Sequence, residues 1–365
     1  MRAEMTNRGD SRRHHPSSLD VATAVYAATV DRARSKGLGR GLRASARLLF
    51  NLKSLFELVG ILHEPNTIAL ARRHPGLIYK YQSHYLARGF GKRQRKAIQK
   101  FHYKFVGRAV NSRFYERLVA GNIELWRRAE ELGCVTISLR VPEYGREGDL
   151  SLVLEIERKQ IYELSFTIVP GSVVGVRAPS AMFVARVQGR KGRFDEIKRA
   201  TKLCCDVSPP YLLMAAAEGL AGALGVTFAV GVGNDDQVST RKAFDYASFW
   251  ETLLSGRVGG RFYVLPLPIS GVPLEQCSAS HRRRTRIKRE FKEELSNAVR
   301  TAFLHDHRRV QPFGSGIVAE DRKGSLVCDP SPRLAGCIEL RAVRPCALSA
   351  KSQYGLHTSW FERSD

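Results

Sequence analysis

The hydrophobic pattern of the chain changes its period near residue 134, and this change limits the folds available to it. Before that point apolar residues recur at helical spacing. A first helix starts near Leu19, and further helices are predicted over 42–62, 75–90, 92–108 and 111–132. After that point, short runs rich in β-branched residues predict strands over 135–141, 150–156, 161–169 and 181–187.

The rest of the pattern mixes the two element types. It predicts helices over 194–205 and 209–224, strands over 226–232 and 262–265, and a long basic helix over 281–304. Because four strands follow one another before a helix intervenes, the order is not a regular βαβ repeat. We expect an α+β (mixed α/β) fold, in which an N-terminal helical layer precedes a mainly antiparallel mixed sheet with flanking helices.

Composition divides the chain into four segments. Residues 1–18 are polar and basic and are predicted to be a disordered lead-in, and residues 19–133 are a helical N-terminal region. Residues 134–304 are an α/β body that ends in the basic helix. Residues 305–365 contain scattered Gly, Pro and Ser and are expected to be a weakly ordered tail.

The formal charge of +24 is distributed unevenly along the chain. Residues 1–110 contain 22 Lys or Arg against 6 Asp or Glu, and residues 280–309 contain 10 against 4. Between them, residues 111–279 contain 20 against 19 and are almost neutral. The excess therefore favours contact with an anionic membrane surface or lipopolysaccharide through helices at either end, and nucleic acid is a weaker alternative.

One apolar run, 211–233, is long enough to span a bilayer and contains a single charge, Glu218. Glu218 lies near its centre, and the run becomes β-branched at Val226, so we interpret it as a buried helix followed by a buried strand. Residues 1–18 contain no apolar run typical of a secretory signal, and the seven Cys do not form a disulfide framework. We expect a cytoplasmic protein, peripheral to the inner membrane.

Several short motifs occur in an order that resembles the VirK/YbjX family of gram-negative bacteria. The resemblance covers about residues 70 to 305. It includes His74-Pro75-Gly76, Tyr85-Leu86, Arg93-Gln94-Arg95, His102-Tyr103-Lys104-Phe105, Glu147-Gly148-Asp149-Leu150, Val187-Gln188-Gly189, Asp245-Tyr246, Phe249-Trp250-Glu251, Leu265-Pro266 and His281-Arg282-Arg283-Arg284. It implies a role in virulence, in envelope integrity or in resistance to cationic antimicrobial peptides, and no defined chemistry.

The chain departs from the family pattern at two places. The stretch before the apolar helix is Asp206-Val207-Ser208-Pro209-Pro210, where the family has a Gly-Leu-Arg-Pro-like sequence. Gln237 stands where family members often have a His after the fifth predicted strand. An activity that requires that His is therefore in doubt for this chain.

The strongest signal for a ligand site is a glycine-bearing basic loop between a strand and a helix. It consists of Gln188, Gly189, Arg190, Lys191, Gly192 and Arg193. Such a loop can offer backbone N–H groups and a helix N-terminus to a phosphate. The layout resembles GNAT-type acyltransferases, which implies acyl-coenzyme A as a ligand, although Arg193 and Phe194 stand where a second small residue belongs. The alternative is an ordinary basic turn.

Four carboxylates are weak candidates for catalysis. Glu147 and Asp149 lie in a turn before a strand, and Asp235 and Asp236 follow the fifth predicted strand, where open sheets place ligands. Solvated turn carboxylates are commoner than catalytic ones. Two adjacent carboxylates are too few to define a metal site, so we expect no metal.

The late basic helix is the densest cationic run and contains Arg282, Arg283, Arg284, Arg286 and Arg289. Arginine favours recognition of phosphate groups, so an anion-binding role fits lipid headgroups, RNA or cofactor phosphates. Two hypotheses follow. One is a GNAT-like acyltransferase that holds acyl-coenzyme A at 188–193, and the other is a non-enzymatic basic factor that docks on anionic lipid, lipopolysaccharide or RNA.

Overall fold

A layer of helices precedes the sheet in the computed structural model, which describes residues 16–49, 51–121, 123–131, 133–143, 145–239, 244–253, 256–258, 261–271 and 273–309. The layer contains α1 (Ser18–Lys36), α2 (Leu38–Leu49), α3 (Leu52–Leu62), α4 (Ile68–Arg73), a 3₁₀ helix (Pro75–Gln82), α5 (Lys92–Ala109) and α6 (Phe114–Val119). Helix α1 starts with a capping box, in which the Ser17 hydroxyl accepts from the Asp20 N–H and the Asp20 carboxylate accepts from the Ser17 N–H.

The helical predictions differ from the structure in three places. The predicted helix 42–62 is two helices, because Asn51 takes the N-cap position of α3. The predicted helix 75–90 is the 3₁₀ helix, which ends at Gln82. The predicted helix 111–132 is wrong beyond α6, since β1 (Ile123–Glu130) occupies its second half and alternates buried and exposed residues at its start.

The sheet has eight strands among the described residues, in the order β1-β2-β3-β4-β5-β6-β8-β7. After β1 the strands are β2 (Gly133–Arg140), β3 (Leu150–Ile156), β4 (Lys159–Pro170), β5 (Ser180–Gly189), β6 (Phe228–Val232), β7 (Gly256–Val258) and β8 (Phe262–Pro266). Neighbouring strands are antiparallel except for β5 and β6, which are parallel. The expected α+β class with a mainly antiparallel mixed sheet is confirmed.

Among the described residues, four α-helices follow β5, namely α7 (Phe194–Leu203), α8 (Pro209–Leu224), α9 (Tyr246–Glu251) and α10 (Ala279–His307), and a short 3₁₀ helix (Leu274–Gln276) precedes α10. Helices α8 and α10 pack together, α8 lies against β3, β4 and β5, and α5 lies against β4. Residues of both orientations are buried along β3, β4 and most of β5, so the centre of the sheet is covered on both faces. The apolar run 211–233 is divided between α8 and β6, as its sequence predicts.

Strands β5 and β6 pair over only three residues, from Met182 with Ala229 to Val184 with Gly231, and then diverge. Helix α9 fills the divergence. The Val187 N–H donates to the Tyr246 hydroxyl at 3.2 Å, and the Trp250 indole N–H donates to a carbonyl of β6 at 2.9 Å. These two side chains therefore replace ladder hydrogen bonds that the diverging strands no longer make. Neither α9 nor the three-residue β7 is predicted from the sequence.

The described helices and strands belong to one compact unit. The predicted division near residue 134 stays a prediction. Helix α10 extends to His307, and most of the predicted tail and lead-in, residues 310–365 and 1–15, lies outside the described residues. In the described part of the chain, no helix combines the length and the hydropathy required to cross a bilayer.

The contact between α8 and α10 gives a sharp test of packing. A β-carbon added to Gly219 would overlap the backbone carbonyl of Ser296, whereas one added to Gly222 would lie 3.8 Å from its nearest neighbour in Arg300. We expect Gly219→Ala to reduce the free energy of unfolding by about 2 kcal/mol, because two helix backbones must separate. Gly222→Ala, a matched helical control, should leave it unchanged or raise it by up to ~1 kcal/mol.

Urea denaturation of the two variants measures the difference. Equal effects of the two substitutions would contradict this account of the α8 and α10 contact.

Candidate functional site

A cleft of about 980 Å³ opens between the helical layer and the end of β5. We call it the basic cleft. One wall comes from α1, α4 and the 3₁₀ helix, and the other comes from the turn before β3, the end of β5 and the loop after β6. Its lining residues are Asp31, Arg32, Arg73, His74, Gly76, Leu77, Tyr79, Lys80, Ser83, Glu143, Gly145, Arg146, Glu147, Arg186, Gln188, Gly189, Arg190, Lys191, Val238 and Ser239. This volume is large enough for a cofactor-sized ligand.

The basic cleft has an excess of positive charge. Seven of its lining residues are Lys or Arg and three are Asp or Glu. Arg73, Arg146 and Lys191 are exposed at the cleft. A concave surface with this charge concentrates the field of its cations and attracts anions.

A buried ion pair lies at the cleft. The Arg186 guanidinium donates to the Glu147 carboxylate at 2.5 Å, and their side chains are 10% and 4% exposed. The Ser239 N–H donates to the other Glu147 oxygen at 3.1 Å. Glu163 on β4 lies 4.0 Å from Arg186 and accepts a hydrogen bond from Ser151 at 2.8 Å. Glu147 is therefore held in one orientation by charge-assisted contacts.

Asp149, two residues further on, is fully buried and has a different environment. It accepts hydrogen bonds from Lys80 at 2.6 Å, Tyr103 at 2.7 Å and Thr167 at 2.7 Å, and also from the Tyr85 hydroxyl. Burial alone would raise the pKa of the carboxyl group, but the Lys80 ammonium and the hydrogen bonds outweigh it and hold the pKa well below its usual range. This geometry favours a structural carboxylate that ties the turn to the 3₁₀ helix and α5.

His102 on α5 also has a packing role. It is fully buried, and its Nδ1 accepts a hydrogen bond from the backbone N–H of Ile168 on β4 at 3.1 Å. Burial lowers the pKa of the imidazole to about 4, so the ring is neutral near pH 7. His102 therefore contributes to the contact between α5 and the sheet.

The loop predicted to bind phosphate is divided in the structure. Gln188, Gly189, Arg190 and Lys191 line the basic cleft, whereas Gly192 and Arg193 do not. Arg190 pairs with Glu143 and Arg193 pairs with Glu196, the latter at 3.0 Å. Among the described side chains none caps the N-terminus of α7, but its first turn carries Asp195 and Glu196, which complement the helix dipole. The first four residues of the loop therefore belong to the cleft, whereas the start of α7 is acidic and lies outside the cleft lining.

The candidate carboxylates after β6 lie outside the cleft lining. Asp236 accepts hydrogen bonds from Arg261 at 3.0 Å and from the Gly89 N–H at 3.0 Å, and Asp235 is exposed. Gln237, at the position where a His was expected, is buried and donates to the Tyr246 hydroxyl at 2.9 Å. Asp236 and Gln237 therefore hold the loop after β6 against Gly89, Arg261 and α9.

The arginines at the start of α10 lie elsewhere on the chain and do not line the cleft. Arg282, Arg283, Arg284 and Arg286 are exposed, and Arg289 is half-buried. Arg284 pairs with Asp206 at 3.0 Å, and Arg286 lies 3.8 Å from Glu290. The basic cleft and the start of α10 are therefore two separate basic regions of the structure.

Sequence reasoning missed most of the cations in the cleft, namely Arg32, Arg73, Lys80, Arg146 and Arg186. Arg186 carries a detectable signal, because it interrupts an otherwise apolar predicted strand at 181–187. A charged residue in such a strand must be paired when the strand is buried. The others leave no local signal, since their convergence depends on the tertiary fold.

A family described as "Protein of unknown function (DUF535)" matches residues 35–301. The chain belongs to this family. The "Uncharacterized protein YbjX" of Escherichia coli (strain K12) is 24% identical over 256 residues, which cover 66% of this chain and 76% of that protein. The resemblance to the VirK/YbjX family is thereby confirmed. No solved structure matches the chain.

The DUF535 match includes the basic cleft except for its contribution from α1, since Asp31 and Arg32 precede residue 35. Glu147, Asp149, Lys80 and Arg186 all lie inside it. The buried charges of the site are thus part of the family region of the chain.

The pair between Lys80 and Asp149 predicts a large and specific effect on stability. We expect Asp149→Asn to reduce the free energy of unfolding by about 3–5 kcal/mol, because the Lys80 ammonium would stay buried without its counter-charge. Lys80→Met combined with Asp149→Asn should cost clearly less than the sum of the single changes. Chemical denaturation at pH 7 measures the cycle.

Glu57→Gln is the control, because the pair between Glu57 and Lys100 is partly exposed and should change stability by less than ~1 kcal/mol.

The contribution of Asp149 to the free energy of unfolding also depends on pH, and the sign of this dependence is defined. The folded-state pKa of Asp149 is depressed, so its contribution is complete above the ordinary carboxyl pKa of 3.8 and is lost as the pH falls below it. If the effects of the two single substitutions simply added in the double variant, Lys80 and Asp149 would not be coupled. This result would contradict the role of the pair in tying the turn to the 3₁₀ helix.

Proposed function

We propose that the chain is an acyltransferase that binds acyl-coenzyme A in the basic cleft. The observation that carries the proposal is the cation-lined cleft of about 980 Å³ at the carboxyl end of β5, beside Gln188, Gly189, Arg190 and Lys191. An antiparallel sheet, a glycine-bearing loop that begins at Gln188, helices and then a parallel strand form a layout that resembles GNAT-type acyltransferases, although three residues separate Gln188 from Gly192. Carboxyl ends of adjacent parallel strands are also where open sheets bind ligands.

The charge of the cleft supports phosphate as the recognised group. Arg146 and Lys191 are exposed at the cleft without an ion-pair partner among the described residues, so they are available to an incoming anion. Tyr246 fills the gap between the diverging strands. We therefore place the proposed ligand in the cleft beside Gln188 and not between the strands.

Glu147 supplies the chemistry of the proposed transfer. The acyl carbon forms a bond to an amine or hydroxyl of the acceptor and loses its bond to the sulfur of coenzyme A. The acceptor proton passes to the Glu147 carboxylate, which Arg186 and the Ser239 N–H orient, and Glu147 then gives this proton to the leaving thiolate, which departs as free coenzyme A thiol. The acceptor is an amine or hydroxyl of a protein or an envelope component.

Thermal unfolding of the purified chain tests acyl-coenzyme A binding. We expect palmitoyl- or acetyl-coenzyme A at 100 times its dissociation constant to stabilise the chain by about 2.7 kcal/mol and so raise the melting temperature by several degrees. Lys191→Glu combined with Arg146→Glu should abolish this protection, because both cations then repel phosphate.

Lys202→Glu is the matched control for charge, since Lys202 is exposed on α7 outside the cleft lining. It should retain full protection. Absence of protection at millimolar thioester, or protection that survives the double substitution, would remove the proposed site.

A non-enzymatic basic factor is the second candidate function, favoured by the exposure of Arg282, Arg283, Arg284 and Arg286 on α10. These residues would dock on anionic lipid or lipopolysaccharide. We expect purified lipopolysaccharide to bind the chain at low salt, and Arg282/Arg283/Arg284→Ala to weaken this binding at least tenfold.

The same measurement on Arg72→Ala combined with Lys92→Ala and Arg93→Ala, which removes three exposed cations outside the cleft lining, separates α10 from general basicity. Loss of affinity in all variants alike would show that net charge, and not α10, determines binding.

A further inference from the structure

In the part of the chain that the structure describes, most of the exposed large apolar side chains lie in the first three helices. Among the described residues, Leu19, Tyr26, Leu38, Leu42 and Leu52 are 75%, 72%, 66%, 56% and 49% exposed. Elsewhere in the described part, only Phe194 and Ile287 belong to this class. Scattered exposed apolar residues are ordinary, but five within one stretch of 19–52 indicate an interaction surface.

The contact between α1 and α2 shows where these side chains lie. The Thr29 hydroxyl of α1 bonds to the Ser45 hydroxyl of α2, and a β-carbon on Gly41 would contact Thr29 and Ala33. The two helices are joined at Gly37 and pack along their length, so they run antiparallel with a seam between them.

Helical rotation places four of the apolar residues along that seam. At about 100° per residue, Leu19 and Tyr26 lie within about 80° of Thr29 around the axis of α1. The buried residues Val21 and Ala28 lie on the opposite side of Thr29. By the same rotation, Leu38 and Leu42 lie within about 100° of Gly41 around the axis of α2. The buried residues Ala44 and Leu48 lie on the opposite side of Gly41. Both pairs therefore lie on the outer side of the seam. We call Leu19, Tyr26, Leu38 and Leu42 the seam surface.

The charge around the seam surface is strongly positive. Helix α2 contains three arginines and no Asp or Glu. From Leu19 to Lys53 the basic residues are Arg32, Arg34, Lys36, Arg40, Arg43, Arg47 and Lys53, and the acidic ones are Asp20 and Asp31. Arg40, Arg43 and Arg47 are exposed, and at about 100° per residue they lie on the side of α2 opposite Leu38 and Leu42.

We propose that the seam surface docks on an anionic lipid bilayer, with the leucines inserted at the level of the headgroups and the arginines in contact with lipid phosphates. An apolar face opposite an arginine-rich face is the pattern of helices that lie in the plane of a membrane interface, where the long arginine side chains reach back to the headgroups. Charge complementarity identifies the partner, because a neutral apolar partner would not account for three arginines on α2. The proposal does not depend on acyl transfer and concerns a surface other than α10.

Sedimentation with vesicles of phosphatidylcholine and phosphatidylglycerol at 7:3 tests this docking, with pure phosphatidylcholine as the reference lipid. We expect the full chain to bind the anionic vesicles. Leu38→Ser combined with Leu42→Ser should weaken binding at least tenfold at both low and high salt, because insertion of apolar groups is not screened. Arg43→Gln combined with Arg47→Gln should weaken it mainly at low salt.

Two matched controls keep the result specific. Phe194→Ser combined with Ile287→Ser removes the exposed apolar side chains elsewhere in the described part and should bind vesicles as the parent chain does. Arg282/Arg283/Arg284→Ala should retain the salt-resistant component. All four seam and control variants should unfold at the parent temperature, because the substituted side chains are exposed or half-exposed at the surface.

Three outcomes would overturn the proposal. The first is absence of binding to anionic vesicles at low salt. The second is unchanged binding of the Leu38 and Leu42 double variant. The third is a concentration-dependent dimer in sedimentation velocity that this variant abolishes, since the seam surface would then join two copies of the chain. Protection by coenzyme A thioesters should be the same in the seam variants, so failure of either proposal is distinguishable from failure of the other.

Discussion

The carboxylate of Asp149 is the constraint on which the arrangement of this molecule depends. A buried carboxylate is tolerated only when its charge and its lone pairs are matched, and here Lys80, Tyr85, Tyr103 and Thr167 match them. Those donors come from the 3₁₀ helix, the segment after it, α5 and β4. One side chain therefore joins the helical layer to the sheet and fixes the turn in which Glu147 lies.

The position of Glu147 follows from that anchor. Because Asp149 fixes the turn, Glu147 is brought within 2.5 Å of Arg186, and the loop after β6 closes on it through the Ser239 N–H. Arg186 would be costly to bury alone, and Glu147 with Glu163 balances it. The paired charges thus define a rigid part of the cleft, and its surplus of positive charge comes from exposed residues such as Arg73, Arg146 and Lys191. A rigid carboxylate beside free cations is the arrangement expected of a preorganised site.

The sequence predicted the elements whose hydrophobic pattern is local and continuous. Strand β3 was predicted with the bounds that the structure has, and α8 was predicted from 209 to 224, because long apolar segments set their own period. Strand β1 was missed because the helical period before it was extended past Gly121, although Ile123 and Leu125 alternate with Glu124. For the site, residues 188–191 were predicted from their loop. Lys80 was not, since it meets Asp149 across 69 residues of sequence, and no local pattern encodes such a contact.

The two proposed surfaces meet on α1. Arg32 of α1 lines the basic cleft and lies over the Tyr79 ring, with 5.0 Å between the guanidinium carbon and the ring centroid. Thr29, three residues earlier, joins α1 to α2 and to the Tyr79 hydroxyl, while Leu19 and Tyr26 lie on the outer side of the same helix. A helix with its side chains is about 10 Å across, so docking of the seam surface on a bilayer would bring a cleft wall within roughly that distance of the headgroups. This proximity favours ligands or acceptors that are themselves at the membrane surface, because such molecules reach the cleft without leaving the interface. On both proposals, the exposed basic residues in the first third of the chain would orient a nearly neutral α/β body against an anionic surface, while Lys80 in the same third pairs with Asp149 inside the fold.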